Sequence, residues 1–96
     1  MNQGVAVARH WIVHGRVQGV SFRWFTEQRA QALGVKGWVR NRMDGTVEVE
    51  ALGPSEALDA LHGHLLQGPP MARVERIDTD DLDPSTLGFE SFTVRY

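Results

Sequence analysis

The chain has 96 residues, with 10 Lys and Arg against 12 Asp and Glu and a net charge of −2. A length of 96 and an apolar share of 42% predict one ordered domain, large enough for a layer of helices on a single sheet. The charge balance excludes a general nucleic-acid or membrane-surface binder, and the lack of cysteine excludes disulfides, thiolate metal sites and Cys nucleophiles.

A first strand is expected from about Val7 to His14, rich in Val, Ile and Trp. The apolar run at its start, Val5 to Ala8, is too short for a signal peptide or a membrane span. Gly15-Arg16-Val17-Gln18-Gly19 reads as a loop. A helix starts near Phe22 with Ser21 as its N-cap, carries Phe22, Phe25, Ala32 and Leu33 on one stripe, and ends at Gly34. A second strand covers Lys36 to Asn41, and Asp44-Gly45 turns the chain into a third, Thr46 to Leu52. Val47, Val49 and Ala51 alternate there with Glu48 and Glu50, as in a half-buried strand. Pro54 opens a second helix at its first position, with an apolar stripe of Leu58, Leu61 and Leu65, and Gly68-Pro69-Pro70 stops it. A fourth strand is expected over Arg73 to Thr79; Val74 and Ile77 differ in parity, which predicts a bulge or an early end. Phe92 to Tyr96 forms the last strand, with Phe92, Val94 and Tyr96 on one face. The order is βαββαβ plus a short strand, a ferredoxin-like α+β two-layer sandwich in which an antiparallel sheet carries two helices on one face.

Two segments carry candidate chemistry. In the first, Val13 to Arg23, a glycine-containing loop joins a strand to a helix N-terminus, where unpaired N–H groups can hold an anion. Arg16 and Arg23 add guanidinium groups, and no acid intervenes before Glu27. The same residues also suit an ordinary turn with both arginines solvated. In the second, Gly37 to Val47, Asn41 on its own would most often be a turn residue bonding its own backbone.

Taken together, the segments resemble the acylphosphatase family. Val13 through Arg23 match its motif of an apolar residue, then G-x-V-Q-G-V-x-F-R. Gly37 through Val47, with Gly53 beyond, match G-W-V-x-N-x-x-x-G-x-V and a later Gly. The likeness extends over nearly the whole chain, and Ser21 stands where the family varies. It implies a small-molecule acyl phosphate as substrate, no cofactor, and phosphate or sulfate as inhibitor. It further implies that Arg23 and the backbone N–H groups of Gln18, Gly19, Val20, Ser21, Phe22 and Arg23 bind the phosphoryl group, while Asn41 fixes the attacking water. A cytoplasmic monomer that binds neither nucleic acid nor membrane is expected.

No metal constellation is expected. His10 and His14 share a strand face about 13 Å apart, too far for one ion, and His62 and His64 leave their helix on different sides. Asp78, Asp80, Asp81 and Asp83 read as a solvated acidic loop, and Trp11, Trp24 and Trp38 as packing residues. Two other functions share parts of this pattern. An RNA recognition motif shares the topology but needs aromatics where the third strand has Glu48 and Glu50. A non-catalytic domain of acylphosphatase type, as within hydrogenase-maturation factors, is disfavoured because Arg23 and Asn41 are both present.

Overall fold

The structure, a computed structural model, describes residues 5–96. Strand β1 (Val7–Arg16) leads into helix α1 (Phe22–Ala32), and β2 (Lys36–Asn41) and β3 (Val47–Gly53) form a hairpin. Helix α2 (Ser55–Gln67), β4 (Arg73–Leu82), a 3₁₀ turn (Pro84–Thr86) and β5 (Phe92–Arg95) follow. The sheet order is β4-β1-β3-β2-β5. Neighbours in β4-β1-β3-β2 run antiparallel, but β5 lies parallel to β2, so the sheet is mixed and not purely antiparallel as expected. The physical reason is the route of the chain. β4 ends with Leu82 opposite Ala8, beside the start of β1. The segment from 83 to 91 then crosses that end of the sheet to the far edge, and the only way on is upward, alongside β2.

Alternation in β3 sorts the two faces as expected. Val47, Val49 and Ala51 are buried, and Glu48 and Glu50 face the helix-free side. Trp11 and Val13 of β1, Val39 of β2 and Phe92 of β5 join them in one core beneath both helices. Leu58, Leu61 and Leu65 of α2 are fully buried, each such side chain contributing about 1.5–3 kcal/mol. In α1 the stripe is Phe22, Phe25, Thr26 and Ala30, whereas Ala32, assigned to it on periodicity, is exposed. The Thr26 hydroxyl is satisfied by donating to the Phe22 carbonyl at 2.8 Å.

Several boundaries shift. Pro54 precedes the first turn of α2 as its cap and does not occupy the first helical position. β4 does not end at Thr79 but continues through the aspartates to Leu82, because β1 offers partners as far as Ala8. Asp78, Asp80 and Asp81 are therefore strand residues and not a loop, while Asp83 accepts from the Ser85 N–H at 2.9 Å and caps the 3₁₀ turn. The parity mismatch of Val74 and Ile77 is resolved by a bulge: His14 faces Arg76, Gly15 faces Val74, and Glu75 is the extra residue. At Gly15 (φ 129°) an added Cβ would lie 2.1 Å from the Arg73 carbonyl oxygen, so only glycine lets β4 come this close. Trp11 and Trp38 are packed, but Trp24 is 63% exposed and is not a packing residue.

Candidate active site

The chemistry-bearing segments meet at one end of the sheet. Val13 of β1 and Asn41 of β2 both pair with Val47, the first residue of β3. The loop leaving β1 and the turn joining β2 to β3 therefore lie side by side.

The loop is pinned by two buried side chains, Val17 and Phe22, so that residues 18 to 21 are held over the end of α1. Gly19 (φ 75°) and Ser21 (φ 64°) adopt left-handed backbone, and Val20 between them does not. Alternation of hand turns successive N–H groups toward one side. Ser21 is the sole non-glycine residue with positive φ among the described residues, a conformation costing about 1–2 kcal/mol. It stands at the cap position of α1, but its side chain makes no cap hydrogen bond, contrary to expectation, because side-chain capping calls for extended backbone and Ser21 is left-handed. Among the described residues no N–H from Gln18 to Arg23 donates to a backbone carbonyl or a side-chain acceptor; Phe25 is the first in the helix to find one, the Ser21 carbonyl at 3.0 Å. The first turn of α1 has no acidic residue. Six donors and the positive end of a helix are left unspent, an arrangement suited to an anion.

Arg23 is half-buried, and its guanidinium carbon lies 4.7 Å from the centre of the Tyr96 ring. No Asp or Glu side chain pairs with it among the described residues. Its charge is therefore available to a ligand. Arg16, by contrast, is exposed at the end of β1, opposite Arg73.

Asn41 ends β2 on the helix-covered face, in phase with Val39. Its Oδ1 is buried without a hydrogen-bond partner, an acceptor that a ligand or water could satisfy. The turn after it is rigid. Asp44 accepts from the Thr46 N–H at 3.0 Å and from its hydroxyl at 2.6 Å, and the hydroxyl bond is the main reason its carboxyl sits below the usual range. The Arg42 N–H donates to the Thr46 carbonyl at 2.9 Å. Arg40, Asn41, Arg42, Met43, Asp44 and Tyr96 line a groove of about 400 Å³. Tyr96 borders this groove and also meets Arg23, which connects the two halves of the site. Sequence reasoning placed Tyr96 on a strand face with Phe92 and missed this role, since the signal lies in the parallel placement of β5.

The histidines take up other partners. His10 Nε2 lies 2.6 Å from Glu48, His14 Nε2 lies 2.8 Å from Asp78, and His62 stacks on Trp11 with ring centres 5.8 Å apart. Among the described residues no three His, Asp or Glu side chains gather as a metal ion would require. No helix among them is long and apolar enough to cross a membrane.

Fold and site together define a ferredoxin-like domain with a run of unspent N–H donors at a helix N-terminus. The acylphosphatase family model matches residues 9–94. Acylphosphatases of Koribacter versatilis and Cupriavidus pinatubonensis are 49% and 51% identical to the chain, each over 86 residues, covering 90% of it and 77% and 92% of the relatives. The acylphosphatase structure from Bacillus subtilis superposes with a TM-score of 0.89 at 38% identity, covering 94% of this chain and 99% of that one. The chain belongs to the acylphosphatase family, enzymes that hydrolyse acyl phosphates.

Proposed function

We propose that the amides of Gln18, Gly19, Val20, Ser21, Phe22 and Arg23, together with the Arg23 guanidinium, hold the phosphoryl group, and that Asn41 carries the attacking water. The observation supporting this most directly is the run of six unspent N–H donors beside an arginine without a carboxylate partner. The unpartnered Asn41 Oδ1 supports the second half. Asn41 accepts a hydrogen bond from water and turns its lone pair toward phosphorus. The new O–P bond forms as the P–O bond to the acyl group breaks, and the electron pair leaves with the carboxylate. The water's proton passes to a phosphoryl oxygen. Because a carboxylate is already a good leaving group, positioning and charge stabilisation at the equatorial oxygens suffice. Neither a strong base nor a covalent phosphoenzyme is needed.

In this reading the chain acts as a single domain and a cytoplasmic monomer, without metal or cofactor; the cysteine-free composition fits a reducing compartment. Inorganic phosphate and sulfate compete with substrate at the loop. The test is hydrolysis of benzoyl phosphate with and without EDTA. Equal rates are expected in both. Loss of activity in EDTA, with recovery on adding one divalent ion, would overturn the metal-free reading, and a noncompetitive effect of phosphate would overturn the loop assignment.

A further inference from the structure

The loop 17–21 and the turn 42–46 are joined by two hydrogen bonds, and both come from one nitrogen. Gln18 Nε2 donates to the Arg42 carbonyl at 2.7 Å and to the Thr46 carbonyl at 2.9 Å. A carboxamide nitrogen has two hydrogens, so its donor capacity is fully used. Among the described residues no backbone hydrogen bond crosses the same gap. The two acceptors flank the proposed water site: Arg42 follows Asn41, and Thr46 precedes Val47, the partner of Asn41. Both carbonyls also accept within the turn, from Gly45 at 3.2 Å and from Arg42 at 2.9 Å. Gln18 thus grips both arms of the hairpin where Asn41 leaves β2.

We propose that the Gln18 side chain is a positioning residue that sets the separation between the phosphoryl cradle and Asn41. The proposal rests on the reading in which Asn41 holds the attacking water. Gln18 contributes its N–H to the cradle and reaches with its side chain to the hairpin, so one residue belongs to both halves of the site. The other path of register, through β1 and β3, ends at the Val13–Val47 pair. Beyond it Gly15 and Arg16 pair with β4 and not with the hairpin, so the Gln18 side chain is the hydrogen-bonded link between the cradle and the hairpin that carries Asn41, and its loss lets the phosphoryl group shift relative to Asn41. Such a displacement misdirects the water without removing a contact to the phosphoryl group. It lowers kcat more than it weakens binding.

The test uses Gln18→Ala, which removes the reach, and Gln18→Glu, which keeps the shape but faces two carbonyls with a carboxylate that cannot donate. Benzoyl phosphate kcat, phosphate Ki and a thermal melt are measured for each, alone and combined with Asn41→Ala. Each single variant is expected to lower kcat by about tenfold or more; phosphate Ki should change by less than about threefold in Gln18→Ala, whereas the added charge of Gln18→Glu beside the cradle weakens phosphate binding as well. In the Asn41→Ala background neither should lower kcat further, because both act through the same water. The Gln18→Glu deficit should shrink relative to wild type as the pH falls and the carboxyl regains a donor hydrogen, while the Gln18→Ala deficit should not. If Gln18→Ala does not fold, Gln18→Glu and its pH profile carry the comparison. Unchanged kcat in the Gln18 variants, losses that add to that of Asn41→Ala, or a parallel weakening of phosphate binding in Gln18→Ala would each overturn the proposal. A fully active Asn41→Ala single variant is a different result: it overturns the water assignment itself.

Discussion

At the scale of single residues, the site depends on what is left unpaired. Arg40 is tied to Glu48 at 2.6 Å and Arg9 to Asp59 at 2.6 Å. Arg23, the last residue of the cradle, touches only an aromatic ring among these contacts. Arg16 also has no carboxylate partner among the described residues, but it is exposed at the end of β1 and precedes the cradle. Arg16→Ala is therefore expected to weaken phosphate inhibition far less than Arg23→Ala. Equal inactivation by the two substitutions, measured as kcat/KM on benzoyl phosphate, would contradict this ranking. Arg23 and Asn41 could be singled out in the sequence as candidates because residue type and spacing sit in two long motifs. The Gln18 side chain was not, since its acceptors are carbonyls 24 and 28 residues away and carbonyls carry no sequence signal. The bare Ser21 hydroxyl was hidden for a related reason: a capping residue and a left-handed loop residue are both served by serine, and only the backbone angle separates them.

At the scale of elements, β3 organises the molecule. Its inward residues fill the core, and on its outer face Glu48 joins three strands, accepting from Arg40 of β2 at 2.6 Å and lying 2.6 Å from His10 of β1. Burial raises the Glu48 pKa, but the hydrogen bonds from His10 and Arg40 outweigh it and hold the carboxyl below its ordinary 4.5. A depressed folded-state value means stability that is present above about pH 4.5 and is lost as the pH falls through the lower, folded value. Wild type should therefore melt higher than Glu48→Gln at neutral pH, and the gap should close on acidification toward pH 3. A gap that stays constant with pH would show that the ionised carboxylate contributes nothing. Where β2 passes β3, Gly37 (φ 143°) would place an added Cβ 1.9 Å from the Glu50 carbonyl oxygen. Backbone cannot step aside as a side chain can, so Gly37→Ala is expected to cost about 2 kcal/mol or more in denaturant unfolding. A neutral result would mean that β2 and β3 are not in this register. The β3 alternation and the α2 stripe were legible because one face of each is buried and the other is wet. The length of β4 was not, since its aspartates signal a loop and only pairing with β1 draws them into a strand.

At the scale of the whole molecule, the route of the chain explains why the site lies where it does. Crossing from β4 to the far edge sends β5 upward, parallel to β2, and delivers Tyr96 beside Arg23 and the Asn41 groove. The order of elements was readable from periodicity and turn signals, and the two candidate segments from the motifs that carry the family resemblance. The sense of β5 was not, because parallel and antiparallel strands of four residues look alike in sequence and are decided by where the previous strand ends. In the proposed reading, binding of the phosphoryl group and delivery of the water fall on different elements, the start of α1 and the end of β2, and they should separate kinetically. The decisive measurement is the pair kcat and phosphate Ki for Arg23→Ala and Asn41→Ala, with a melt to confirm folding. Arg23→Ala should weaken phosphate binding and nearly abolish turnover. Asn41→Ala should keep phosphate Ki near wild type while cutting kcat by about 10²-fold or more. A folded Asn41→Ala variant that loses phosphate binding yet retains kcat would contradict the division of roles.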